Sequence, residues 1–160
     1  MSCVLTQNPG FEAGMTGYYP SENTIAYVAT NPEVAYAGNN FLDIAVTSVA
    51  PSGTVSQNLV GLDTTTPHNL TLYVRIDQPI PTALQCTVSA SVASAPEDPI
   101  TSDYIWDAGQ WLRLTGLFTP SQPDDVLNIV GLCAFPADFP DYTFNHVFVD
   151  EVVLSDCDTE

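Results

Sequence analysis

Thirteen prolines are scattered from Pro9 to Pro140, and they leave little room for helices of ordinary length. Between them run short segments rich in Val, Ile, Thr, Tyr and Phe, separated by clusters of Gly, Pro, Asn, Asp and Ser. That alternation of short apolar runs and turn formers is the pattern of an all-β sandwich. Strands are expected near 3–6, 24–29, 33–37, 41–49, 54–60, 70–77, 84–93, 111–118, 126–135 and 145–154.

The clearest run is Leu70-Thr71-Leu72-Tyr73-Val74-Arg75-Ile76-Asp77. Its even positions are all aliphatic, so one face belongs to a core. Its odd positions place an aromatic ring, Tyr73, beside the donor fork of Arg75. That outer face reads either as ordinary solvent surface or as one side of a carbohydrate-binding sheet. In 84–93 the core parity is Leu84, Cys86, Val88, Ala90 and Val92, and the opposite face is small and polar. In 41–49 the inward set is Leu42, Ile44 and Val46. Gln57, between the apolar Val55 and Leu59, is expected to point inward and to be hydrogen-bonded structurally.

At 160 residues the chain reads as one domain, 1–160, long enough to bury a core. It contains no lysine, and its cations Arg75 and Arg113 stand against 19 carboxylates, for a formal net charge of −17. Binding to nucleic acid or to an anionic membrane needs clustered Lys or Arg, so both partners are excluded. Such acidity favours solubility and cation binding. No run approaches the length of a membrane span.

Cys3, Cys86, Cys133 and Cys157 lack the paired short spacing of a zinc site. An even number of cysteines instead fits two disulfides and an oxidising compartment. Three pairings are open. Cys3 with Cys157 is favoured, because first and last strands often neighbour each other in a sandwich, and Cys86 with Cys133 then bridges two long strands. The sequon Asn69-Leu70-Thr71 agrees with secretion. The start Met1-Ser2-Cys3 reads as a mature domain without its signal peptide.

Four segments, in order, carry a family resemblance. Asn8-Pro9-Gly10-Phe11-Glu12 opens the chain, with Tyr18 and Tyr19 following where a tryptophan is common. Val55-Ser56-Gln57-Asn58-Leu59 precedes Leu72-Tyr73-Val74-Arg75. Gly109-Gln110-Trp111-Leu112-Arg113-Leu114-Thr115 leads to Phe118-Thr119, and Val149-Asp150-Glu151-Val152-Val153-Leu154 closes the chain. Together they resemble the CenC-type carbohydrate-binding modules, jelly-roll domains often attached to polysaccharide-degrading enzymes. The resemblance implies an antiparallel two-sheet β-sandwich of jelly-roll type that binds a poly- or oligosaccharide without catalysis. It also implies secretion or display at the cell surface, as a monomer or as one module of a larger protein. The competing class is an extracellular structural or adhesion module that has lost sugar binding.

The resemblance further implies a structural calcium ion. Gly10 and Glu12, two residues apart on a strand, would point the same way, with Asp150 beside them if first and last strands are close. Asn40 in the Gly38-Asn39-Asn40 turn would add an oxygen, and calcium takes six to eight. For sugar, the expected contacts are Tyr73 and Arg75 on the strand face, with Tyr104 and Trp106 on a loop overhanging it. A ring stacks on the C–H face of a pyranose while neighbouring carboxylates and amides take its hydroxyls. Trp111, which opens a strand containing Leu112, Leu114 and Leu117, is expected in the core.

Catalysis is not expected. His68 and His146 have no serine or cysteine nucleophile motif around them. The adjacent acids Glu97-Asp98, Asp124-Asp125 and Asp150-Glu151 do not establish two carboxyls facing each other across a cleft.

Overall fold

Strict alternation of side chains builds two five-stranded antiparallel sheets, described in a computed structural model for residues 3–77, 85–135 and 144–156. The strands are β1 (Tyr18–Pro20), β2 (Ile25–Thr30), β3 (Asn40–Thr47), β4 (Ser52–Leu59), β5 (His68–Ile76), β6 (Cys86–Val92), β7 (Thr101–Ile105), β8 (Leu112–Phe118), β9 (Asp125–Cys133) and β10 (Phe144–Ser155). One sheet runs β1-β4-β9-β6-β7 and the other β2-β3-β10-β5-β8. They are called here the β6 sheet and the β5 sheet. The chain crosses between them at almost every connection, as a jelly roll requires. Among the described residues there is no helix, and so none long and apolar enough to cross a membrane.

The inward parities agree with expectation. Leu42, Ile44 and Val46 of β3, and Leu70, Leu72, Val74 and Ile76 of β5, are all fully buried. They face Val88 and Ala90 of β6 and Leu127 and Ile129 of β9 in one core between the sheets. The central strand β10 keeps Val147 and Val149 inward, then Val152 and Leu154, although the spacing between the two pairs is odd. A β-bulge between Asp150 and Val153, with Glu151 in the left-handed region at φ 48°, inserts the extra residue that resets the parity.

Cys86 and Cys133 are direct cross-strand partners on β6 and β9 and form a disulfide. Cys3 is also disulfide-bonded. Its expected partner, Cys157, lies outside the described residues, as does Leu84 of the expected core. The two ends of the described chain do meet: Val4 bridges Ser155, and the Leu5 amide donates to the Leu154 carbonyl at 2.8 Å. Gln57 is buried and reciprocally bonded to Gln7, donating to its carbonyl and accepting from its amide, both at 2.9 Å.

Several expectations are corrected. Segment 3–6 does not form a strand: it has one isolated β-bridge and hydrogen bonds to the end of β10, and the turns beginning at Asn8-Pro9-Gly10 then take the chain away. Gly10 and Glu12 therefore flank a turn, with Phe11 at φ 57°, rather than sharing a strand face. Segment 33–37 is a folded-back loop, for reasons given below. β1 and β7 were not legible, since Tyr18–Pro20 is short and Thr-Ser-Asp-Tyr-Ile shows no apolar alternation. Leu117 points outward and is exposed. The sequon residue Asn69 lies within β5, where its side-chain oxygen accepts from Thr115 at 3.1 Å.

Candidate functional site

The β5 sheet turns its aromatic parity outward. Tyr73 and Arg75 of β5 sit there as expected, opposite Asp150 and Phe148 of β10. On the other side Tyr73 faces Arg113 of β8. Across the sheet, Phe148 pairs with Asp43 of β3, and Asp43 with Tyr27 of β2. Phe41 and Phe148, although buried, belong to this outer surface, with ring centroids 4.7 Å apart, and not to the inter-sheet core.

The loop between β2 and β3 explains why Phe41 is covered. Asn31 folds it back: its carbonyl accepts from the Val34 and Ala35 amides, and its own amide donates to Asn39 at the far end. Three anchors then hold it on the sheet. The Tyr36 and Ala37 amides donate to Asp150 Oδ2 at 3.0 and 3.1 Å. The Asn39 and Asn40 amides donate to Glu12 Oε1 at 2.7 and 3.0 Å. The Trp111 indole N–H donates to the Val34 carbonyl at 2.8 Å. A segment whose amides are satisfied by carboxylates in this way cannot also pair as a strand.

The loop delivers Tyr36 onto Tyr73, stacked at 3.5 Å between centroids with 14° between planes. Tyr73 is thus half-buried beneath another ring, and Tyr36, 44% exposed, is the one that meets solvent. Trp111 stands edge-on to both Tyr36 (6.1 Å) and Phe41 (6.4 Å). It is packed, but on the outer surface and not in the core as expected. A hydrogen bond with Tyr73 raises the Tyr36 phenol above its ordinary value, and Arg113 acts in the opposite direction. Tyr36 was missed because Val34-Ala35-Tyr36 reads as a strand in isolation; the Pro32 and Gly38 flanking it are the available turn signals.

A polar row borders the rings. His146 Nδ1 lies 2.7 Å from Asp43 Oδ1, and a hydrogen bond to the same carboxylate raises the Tyr27 phenol above its ordinary value. Phe144, exposed, stands edge-on to His146 at 5.6 Å. Exposed rings beside fixed donors and acceptors can stack on an apolar ring face and hydrogen-bond its rim.

Tyr104 and Trp106 are placed differently from expectation. Tyr104 is in β7, at the edge of the β6 sheet, and Trp106 follows directly after it. Their rings, 53% and 56% exposed, lie 6.1 Å apart along a groove of about 330 Å³ that includes Asp103, Asp107, Gln110 and Trp111. Trp111, beside the sheet-face rings, and Leu112 of β8 line the same groove.

The four residues expected to hold calcium are brought to one end of the sandwich. Asp150 is fully buried, and burial pushes its pKa up from 3.8 to about 6. The backbone amides of Asn39 and Asn40 hold Glu12 below the usual carboxylate range. A Cβ at Gly10 would meet the Glu151 carboxylate at 2.6 Å, which could swing aside, and would lie 3.9 Å from Asp150 Oδ1, so both acids lie close to this turn. Asn40 Oδ1 already accepts from the Thr30 hydroxyl at 2.7 Å. Among the described residues no group of three or more His, Cys, Asp or Glu has metal-holding geometry.

The Asp150 shift has a testable sign. Its folded pKa of about 6 exceeds the ordinary 3.8, so the native state holds the proton more tightly than the unfolded chain. In metal-free buffer, stability should decline as pH rises through the interval between those values and be indifferent to this group on either side. Urea midpoints measured across that interval should slope downward in the wild type and flatten in Asp150→Asn. A slope that survives the substitution would assign it to another group.

No protein-family model matches this sequence, and no curated protein matches it. Solved structures of the same architecture are found readily. The chain is similar to TmCBM61, solved in complex with β-1,4-galactotriose, with TM-score 0.67 and 14% identity over 98% of this chain and 100% of that one. It is similar to the C-terminal family 22 carbohydrate-binding module of Clostridium thermocellum Xyn10B (TM-score 0.60, 16% identity, 97% and 99% covered). A CBM4 structure also matches (TM-score 0.57, 18% identity, 91% and 98% covered). At such identities the likeness establishes the β-sandwich fold of these modules, and the ligand must be argued from the residues.

Proposed function

We propose that this protein is a non-catalytic carbohydrate-binding module and that a poly- or oligosaccharide lies on the outer face of its β5 sheet. The observation that carries the reading is the exposed Tyr36 ring, stacked on Tyr73 and held by three anchors next to Trp111, with Arg75 and the His146–Asp43 pair in reach of a rim of hydroxyls. Preorganised rings lose little entropy on binding. Similar folds solved with galactotriose or studied for ligand binding in a cleft support the same use here. Tyr104 and Trp106 extend the available aromatic surface along the edge groove. The finer assignment to the CenC-type modules, and a place within a larger protein, rest on the resemblance of the sequence motifs, while secretion is supported by the Cys86–Cys133 disulfide. Affinity electrophoresis against a panel of soluble polysaccharides tests the reading. Retardation by at least one supports it; none across a broad panel would leave the structural or adhesion role.

A structural calcium ion belongs to the same proposal. Asp150 is a buried carboxylate with no salt bridge among the described residues, and it lies close to Glu151, whose charge adds to the repulsion. A divalent cation would relieve both. The donor chemistry fits: Asp150 and Glu12 would hold it with the Gly10 carbonyl, while the Asn40 side chain is engaged elsewhere. The ion would supply stability only, by binding the native state alone. Chelation should therefore lower the melting temperature, and calcium should restore it. In Glu12→Ala and Asp150→Ala the melting temperature should start low and ignore both reagents. A wild type that is itself indifferent to chelator and calcium would remove the ion from the proposal.

A further inference from the structure

The chain's two cations occupy one small patch. Arg113 is the direct cross-strand partner of Tyr73, and Arg75 lies two residues further along β5 on the same face. The two guanidinium groups thus spring from diagonal positions on adjacent strands, where Cα atoms stand about 7–8 Å apart and long side chains reach one another. Tyr73 occupies one remaining corner of the square. Trp111, the residue before β8, adjoins the other. Two rings and two forks alternate on the surface proposed to hold the glycan.

Among the described residues neither guanidinium makes an ion pair. The ion pair found among the described residues is His146 with Asp43, so neither arginine has a carboxylate within ion-pair distance there. The Arg75 Nε–H is buried and has no hydrogen-bond partner. In a chain with 19 carboxylates, two unpaired arginines side by side need a reason. Two carboxylates of this face are buried and occupied: Asp43 by His146, and Asp150 by the Tyr36 and Ala37 amides; the exposed Asp77, two residues beyond Arg75 on the same parity, forms no ion pair with either arginine among the described residues. The acids elsewhere on the surface are screened over a Debye length of about 8 Å at physiological ionic strength.

We infer that the glycan this face selects carries a carboxylate, a uronic acid residue or decoration, and that Arg75 and Arg113 receive it. A guanidinium presents parallel N–H donors that match the two oxygens of a carboxylate, and such charge-assisted bonds are stronger than those to neutral hydroxyls. The rings supply stacking on the sugar plane, and the arginines decide between an acidic sugar and its neutral counterpart. The inference rests on the sheet face being the glycan site, and it adds the class of sugar.

The test compares matched ligands on the whole chain. Soluble polygalacturonate, alginate and glucuronoxylan are each paired with a carboxyl-reduced twin, which keeps the linkage and loses the charge, and neutral polysaccharides complete the panel. The expected result is that at least one acidic polymer binds about tenfold or more tighter than its twin, as a charge-assisted bond requires. That preference should shrink with added salt, vanish in Arg75→Gln/Arg113→Gln, and survive in part in Arg75→Lys/Arg113→Lys, which keeps charge without the fork. Melting temperatures of the variants, expected near the wild type, exclude misfolding. If neutral polymers bind as well as acidic ones and the glutamine double variant keeps that binding, the inference is overturned while the glycan-binding reading stands. If no polymer of either kind binds, both fall.

Discussion

Replacing Cys86 and Cys133 together with alanine is expected to destabilise the protein by up to about 4 kcal/mol, the loop-closure value for a span of 47 residues. The span includes β7 and β8, which lie in different sheets, so the bridge restricts a part of the chain that must cross the sandwich in the native state. The two cysteines are fully buried cross-strand partners. Alanine is preferred to serine, because two buried hydroxyls would add their own desolvation cost. The disulfide of Cys3 stays intact in this variant, so the measurement isolates one bridge. Urea unfolding of oxidised wild type and double variant reads the difference directly. An unchanged midpoint would mean that strand pairing between β6 and β9 alone holds that edge of the core.

The second large effect concerns binding. Tyr36→Ala should weaken polysaccharide binding by roughly 2 kcal/mol, about thirtyfold in Kd, which is the scale of an aromatic hot spot. Its effect on the melting temperature should be small, because the ring is 44% exposed and its backbone anchors to Asp150 do not depend on the side chain. Tyr73→Ala should behave differently. It removes the platform on which Tyr36 is stacked, so binding and melting temperature should fall together. Titration calorimetry paired with thermal melts separates the two. Equal losses of stability in both variants, with binding unaffected in both, would show that the stacked pair is packing and that the sugar lies elsewhere. Trp106→Ala, at the rim of the edge groove, then reports whether the ligand reaches that far.

How much of this site was legible beforehand depends on the range of the interactions that make it. The parity of β5 was plain, because a strand's two faces alternate by backbone geometry and Leu70, Leu72, Val74 and Ile76 admit one reading. Tyr73 and Arg75 followed from that parity. Tyr104 and Trp106 were expected on a loop overhanging this sheet; both are exposed, but Tyr104 belongs to a strand at the edge of the opposite sheet, and strand order is not encoded in any local pattern. Trp111 was assigned to the core from its neighbours Leu112 and Leu114. Its ring instead faces Tyr36 and Phe41, because adjacent residues of a strand point to opposite sides.

Composition and periodicity by themselves determined the all-β class and the inward faces of β3, β5 and β6; they placed Cys86 and Cys133 on apolar parities but left three pairings open, and the tertiary structure joined these two. They also make a nucleic-acid partner unexpected, because the sequence has only two cations. These conclusions rest on local rules: proline removes helices, alternation defines faces, and phosphate binding needs clustered cations. Only the tertiary structure decided that residues 31–39 form a loop laid over the β5 sheet. It does so through a carboxylate 114 positions away from Tyr36, an interaction no window of sequence contains. The same long-range packing put Tyr36 on Tyr73, brought Arg75 and Arg113 to diagonal places on one face, and reset the parity of β10 at Glu151 so that Asp150 could face the loop while Val152 returned to the core.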